Sequence, residues 1–259
     1  MTPLIRSRVG SGTQAGVVTI TIDSPHNRNA LSVRLLSELL DAVRAAVGDP
    51  AVRVIVLTHS DPAFCSGADL TEAGDRSSAG ALPASMPALL EALWHSPKPT
   101  VVRVAGPVRA GGLGLLGACD LVVCSADATF AFTEVRLGLV PAVISATVLP
   151  KLLRSAAHEL LLTGETFGGR RAVQIGLATA AVAPAELDAE VRRYVGMLLR
   201  GGPGALSATK GLLRRRPSFG LDDLPELSEL SARHFTGDEG QEGIAAFTAK
   251  RSPSWLRPR

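Results

Sequence analysis

The sequence predicts an α/β fold with parallel strand pairing, followed by a region that is almost wholly helical. Two observations carry this. Short β-branched runs at residues 17–22, 52–57 and 100–105 alternate with apolar stretches at helical spacing, which is the order a parallel sheet needs. Beyond Pro141 that alternation gives way to successive helical segments, with a single further strand signal at residues 180–182.

Each element follows from its residues. The run at 17–22 ends at Asp23-Ser24-Pro25, a strand entering a loop. Asn29-Ala30-Leu31-Ser32 leads into a helix over 33–47, where Leu35, Leu36, Leu39, Leu40 and Val43 share a face and Gly48 is the stop. The strand at 52–57 delivers the chain to a first glycine turn, Phe64-Cys65-Ser66-Gly67-Ala68-Asp69-Leu70. Residues 72–85, rich in Gly, Ser, Ala and charge without periodicity, are expected to be a mobile loop. A helix over 89–94 ends at His95-Ser96-Pro97-Lys98-Pro99. The strand at 100–105 then leads to a second turn, Ala110-Gly111-Gly112-Leu113-Gly114, and a helix through Ala118. Two short strands, 120–124 and 128–132, precede the expected helices at 144–153, 156–162, 169–175, 185–199 and 203–213. A boundary near Gly201-Gly202-Pro203 divides a core, 1–200, from a helical C-terminal region, 201–259, whose apolar faces need the core or a neighbouring subunit.

Composition excludes several classes. With 259 residues, 46% of them hydrophobic, the chain can bury a substantial core. A net charge of +3 gives no argument for nucleic acid, and the late basic clusters such as Arg214-Arg215-Arg216 suit either a phosphate-bearing small molecule or a solvated helix face. Cys65, Cys119 and Cys124 are odd in number and lack C-x-x-C spacing, so neither a disulfide framework nor a metal site is expected. No apolar run approaches the ~18 residues of a membrane span, nor does the N-terminus read as a leader, so a cytoplasmic protein is expected.

Candidate chemistry centres on the two turns. Each follows a strand and presents unobstructed backbone N–H groups; if they converge they form an oxyanion hole. The bland reading of the first is a tight connection capped by Asp69. Gly112-Leu113-Gly114-Leu115-Leu116-Gly117 satisfies G-x-G-x-x-G, but it lies mid-chain after an intervening loop, and the next acidic residues are Asp120 and Asp127, so its glycines are read as serving packing. Neither Cys65 nor Ser66 has a general base beside it in sequence, and His95 and His158 sit in helical segments, which disfavours nucleophilic catalysis. Glu134, at the exit of the 128–132 strand among Phe132, Val135 and Leu137, is either a desolvated carboxylate suited to proton transfer or an ion-pair partner of Arg136.

Together these residues resemble the crotonase superfamily of enoyl-CoA hydratases and isomerases, whose fold is a crotonase-like (ClpP/crotonase) spiral of strand-strand-helix repeats. The likeness runs through Asp23 to Leu31, Ala63 to Leu70, Pro99 to Asp120, Phe130 to Pro141, Leu162-Thr163-Gly164, Ala172 to Gly176 and Glu242 to Arg251. The resemblance implies that the N–H groups of Ala68 and Gly111 hold the thioester carbonyl of an acyl-CoA and that Glu134 moves the proton. It places His26, Arg28, Ser66, Gly67, Asp69, Gly114, Phe247 and Lys250 against the CoA or acyl group. CoA arrives as part of the substrate, with no further cofactor, and a homotrimer or a dimer of trimers is implied. Where two-glutamate hydratases carry a second carboxylate, this chain has Gly114. Three activities follow from the resemblance. The first is hydration of a 2-enoyl-CoA, with water held by a loop acid such as Glu72 or Asp75; residues 133–145 are similar to those of branched-chain, methylglutaconyl-type hydratases. The others are double-bond isomerisation by Glu134 alone, and acyl-CoA binding without turnover.

Overall fold

The computed structural model describes residues 2–73, 81–215 and 220–256. Its strands are β1 (Ile5–Val9), β2 (Val17–Ile22), β3 (Val54–His59), β4 (Thr100–Val104), β5 (Val108–Arg109), β6 (Leu121–Ser125), β7 (Thr129–Ala131), β8 (Phe167–Gly168) and β9 (Ala180–Val182). A six-stranded sheet runs β1-β2-β3-β4-β6-β9. All its pairings are parallel except that of β1 with β2. β1 escapes sequence reading because Ile5-Arg6-Ser7-Arg8-Val9 is an edge strand with four of its five residues exposed. Central β3 is buried at every position, which explains its unbroken apolar run.

The helices are α1 (Val33–Gly48), α2 (Leu70–Ala73), α3 (Ala81–Trp94), α4 (Gly111–Ala118), α5 (Ala142–Val148), α6 (Arg154–Thr163), α7 (Gly169–Gln174), α8 (Leu187–Arg200), α9 (Pro203–Arg214), α10 (Leu224–Thr236) and α11 (Asp238–Thr248). The pleat divides the sheet's side chains between two apolar clusters. Ile20, Ile22, Ile55, Leu57, Val102 and Val104 join the main core with α1, α3 and α4. Val17, Val54, Val56, Val101 and Val123 meet Leu187, Val191, Val195 and Leu199 of α8.

A second, smaller ladder positions the site. Leu31 bridges Ala68, Cys65 bridges Val108, β5 pairs with β7 in parallel, and β7 pairs with β8. Each turn of the chain therefore lays a long strand in the main sheet, contributes one to three residues to this second ladder, and then enters a helix. That is the expected spiral.

Two segment assignments change. Residues 72–85 are not one loop: helix covers Leu70–Ala73 and Ala81–Trp94, and residues 74–80 lie outside the described set. Pro87 lies inside α3. The helix anticipated over 144–153 stops at Val148, because Pro150 lacks the N–H needed to extend it. No described helix is long and apolar enough to cross a membrane.

Candidate active site

The first glycine turn is shaped by the loop before α1. Asn29 is fully buried at φ 57°, a left-handed conformation that asparagine tolerates. Its side chain accepts from Ser24 N–H at 2.6 Å and donates to the carbonyls of Ser60 and Ala63. The loop is thereby pinned beside the turn. Ser66 N–H donates to Arg28 O, the Ser66 hydroxyl to Asn27 O, and Asn27 Nδ2 to Asp69 at 3.1 Å. Asp69 also accepts from the Thr71 hydroxyl and N–H, and these bonds hold its carboxyl below the usual range. It is a turn former, as the bland reading had it. His26, Arg28, Ser66, Gly67 and Asp69 are thus brought together, with His26 and Arg28 exposed on the outer side.

Gly67 adopts φ +105°, which a side chain would strain. Leu31 N–H donates to Gly67 O at 2.8 Å and Asp69 N–H to Leu31 O at 2.9 Å. The intervening Ala68 N–H therefore points away from Leu31, and among the described residues it has no acceptor. The second turn reaches the same place by the next rung. Arg109 N–H donates to Cys65 O at 2.9 Å and Ala110 N–H to Ala131 O at 3.1 Å. Ala110 then takes φ 47°, ψ −119°, a strained geometry for a residue with a Cβ, costing on the order of 1–3 kcal/mol. That twist turns the chain into α4 and leaves Gly111 N–H, at the helix N-terminus, without an acceptor among the described residues. A Cβ built on Gly67 would lie 3.6 Å from that of Ala110, so the turns are in van der Waals contact.

Glu134 follows β7, the third rung, and opens a short 3-10 helix, Glu134–Leu137. Its Oε2 is buried with no hydrogen-bond partner among the described residues. Burial pushes the carboxyl above its ordinary value, and its own N–H only partly offsets this. The ion-pair alternative is not realised, since Arg136 Nε donates to Thr163 O instead. Two free N–H groups and a desolvated carboxylate thus lie on three consecutive rungs.

The remaining expected residues are placed as follows. Gly114 lies in the contact between α4 and α5, where a Cβ would come within 2.6 Å of Ile144 Cγ2. Gly112 and Gly117 have similar reasons to be glycine, against Cys65 and Thr147, which accounts for the accidental dinucleotide pattern. Glu72, considered as a holder of water, accepts Val33 N–H at 2.9 Å at the start of α1; Asp75 lies outside the described residues. Phe247, on α11, and Lys250 just after it belong to the C-terminal region. Phe247 is 87% exposed and borders a cavity of ≈ 380 Å³ shared with His234, Glu239 and Trp255. Sequence reading missed Asn29 and the packing of Leu31 and Met86 over Gly111; only the Asn-Ala-Leu-Ser string before α1 hinted at them.

The family model for enoyl-CoA hydratase/isomerase matches residues 12–258. The 2,3-dehydroadipyl-CoA hydratase of Escherichia coli is 32% identical, the match covering 98% of this chain and 99% of that protein. A crystal structure of an enoyl-CoA hydratase from Mycobacterium smegmatis superposes with TM-score 0.90 at 31% identity, covering 99% of this chain and all of that one. Another, from Mycobacterium avium, is 43% identical with TM-score 0.75, covering 98% and 100%. A spiral fold with paired glycine turns, matched over nearly its whole length by these proteins, makes this chain a member of the enoyl-CoA hydratase/isomerase family.

Proposed function

We propose that the protein hydrates a 2-enoyl-CoA to a 3-hydroxyacyl-CoA. The observation that carries this is the Glu134 carboxylate, its Oε2 buried with no hydrogen-bond partner among the described residues, one rung beyond the Ala68 and Gly111 N–H groups, which likewise have no acceptor among those residues. The thioester oxygen accepts both N–H bonds. As water adds to C3, electron density moves onto that oxygen, where two fixed donors hold it; one such donor is worth about 3–4 kcal/mol in the transition state. Glu134 takes the proton from the attacking water and returns it to C2, so that water is consumed and no other group changes. A carboxyl raised by burial is suited to both transfers. The E. coli dehydroadipyl-CoA hydratase and a crotonyl-CoA hydratase from Syntrophomonas wolfei are named for hydrations of this kind.

A second reading rests on Gly114 and Glu72. With Ile144 filling the space at 114 and Glu72 accepting Val33 N–H, Glu134 is, among the described residues, the carboxylate assigned to proton transfer. One base suffices to move a proton from C2 to C4 and so shift a double bond. The CoA moiety is assigned to the exposed His26 and Arg28 beside Ser66, with Phe247 and Lys250 contributed across a subunit boundary of a trimer or dimer of trimers. Purified protein incubated with crotonyl-CoA, a 3-enoyl-CoA and 3-methylglutaconyl-CoA, beside Glu134→Ala, tests this. Uptake of water that Glu134→Ala abolishes is expected. Double-bond migration without water uptake selects the isomerase, and acyl-CoA binding with no turnover by either protein overturns both.

A further inference from the structure

Cys65 is fully buried and has no place in the chemistry above, yet it lies where the two glycine turns meet. Its backbone bridges Val108, and its carbonyl accepts Arg109 N–H. Its sulfur does something separate. Gly67 N–H donates to Sγ at 3.3 Å, and Gly112 packs directly against the same sulfur. Gly67 immediately precedes Ala68, and Gly112 immediately follows Gly111. One atom thus touches the residue beside each donor of the hole. The fit is close: a Cβ on Gly112 would lie 2.7 Å from Cys65 Cβ and 3.0 Å from Sγ, so glycine at 112 is what lets the sulfur approach. The thiol proton faces Gly67 O and Arg109 O, at 3.8 and 3.9 Å, again one on each turn.

We infer that Cys65 is a positioning residue for the oxyanion hole, its sulfur fixing the orientation of the Ala68 and Gly111 N–H groups through the bond from Gly67 and its close packing against Gly112. The inference rests on the acyl-CoA reading of the site. Burial raises the thiol to about 12, so the sulfur acts as a neutral acceptor throughout the working pH range.

The test compares Cys65→Ala, which removes the acceptor, with Cys65→Ser, which restores a smaller one. Misplacing reacting groups by a fraction of an ångström to 1 Å costs up to about 100-fold. In Cys65→Ala, kcat on crotonyl-CoA is expected to fall by about 10- to 100-fold with little change in KM, and the carbonyl stretch of bound hexanoyl-CoA to move back towards its frequency in water. The Gly67 amide should lose hydrogen-exchange protection. Cys65→Ser should recover most of kcat and of the carbonyl shift, which a purely space-filling role would not require. A Cys65→Ala protein with wild-type carbonyl frequency and kcat overturns the inference. So does a loss of kcat in both variants that follows their thermal stability while the carbonyl band stays shifted. If the wild type shifts the hexanoyl-CoA band but hydrates nothing, the proposed hydration fails while the Cys65 comparison still reads the hole. If the wild type leaves the band unshifted, the hole and the inference fail together.

Discussion

Glu134 is held in a state that folding alone does not favour. Its Oε2 is buried with no hydrogen-bond partner among the described residues, and burial raises its carboxyl pKa, so the folded protein prefers the protonated form more than the unfolded chain does. A group raised in this way contributes most below the unfolded carboxylate range, about 4.3 for glutamate, and loses that contribution as pH rises through its folded value. At neutral pH the ionised side chain therefore weakens the fold in exchange for a usable base. Glu134→Gln is expected to melt at a higher temperature than the wild type near pH 7, with the gap closing as pH falls through the carboxylate range, while turnover drops by about 10²- to 10⁴-fold. Thermal melts across pH beside steady-state rates check both halves, and a variant that melts lower at pH 7 would contradict the burial argument. At this scale the two turns were legible in the sequence because Gly67 and Gly111 stand where a strand must turn into a helix. Asn29 and the sulfur of Cys65 were not, since nothing in a single residue's identity reveals which distant N–H groups it will meet.

Helices α4 and α5 show how an element can be dictated by its neighbour. Gly114 and Gly117 let α5 approach so closely that Thr147 Oγ1 donates to Gly114 O at 3.0 Å, while a Cβ at 117 would stand 2.8 Å from the Thr147 carbonyl. Alanine at 114 gains up to about 1 kcal/mol of helix propensity but overpacks Ile144, at about 1–3 kcal/mol, so Gly114→Ala is expected to be net destabilising. Adding Ile144→Ala, which removes the clashing Cγ2, should cost less than the sum of the two single changes by about 0.5–3 kcal/mol. Urea denaturation of the four proteins in the cycle measures this, and strict additivity would remove the steric account of Gly114. It follows that restoring a glutamate at 114 needs Ile144 to be cut back as well. The long strands and α1 were readable from β-branched runs and a clean apolar stripe. Of the second ladder only β7 was, as the strand at 128–132; its other rungs of one or two residues are too short for any period to register, and α3 was obscured by Pro87 within it.

Across the whole molecule, the C-terminal region is fastened by charge as much as by apolar contact. Asp120, just beyond α4, pairs with Lys210 and Arg214 of α9 at 2.8 Å each. Arg214 stacks on Trp94 at 3.7 Å, and Arg53 reaches the carbonyls of Gly201 and Trp255. Burial alone would raise the Asp120 carboxyl, but Lys210 and Arg214 outweigh it and the net shift is downward. Its stabilisation is therefore present above the unfolded range, about 3.9, and lost as pH falls through the folded value. Asp120→Asn, which strands two cations, should cost about 3–5 kcal/mol by urea denaturation at neutral pH.

Lys151 gives the opposite sign at the other end of the pH scale. Its Nζ donates to the carbonyls of Leu116 and Cys119 at the end of α4. Burial, reinforced by nearby Arg214 and Lys210 against the pull of Cys119 and Asp120, lowers it to about 8. The unfolded lysine titrates near 10.4, so between those values the unfolded chain holds a proton that the folded one has shed. Stability must then rise with pH across that window, by at most about 1.4 kcal/mol per unit from this group. Cys65 and Cys119, raised by burial to about 12 and about 11, act in the reverse direction, but they are present in both proteins when the wild type is compared with Lys151→Met. The unfolding free energy of the wild type minus that of the variant should be flat below about pH 8 and climb from there to about pH 10. Urea curves at about pH 7.5, 8.5 and 9.5 decide it: a constant difference would mean that Lys151 stays charged in the fold, held by carbonyls and Asp120 strongly enough to overcome its burial.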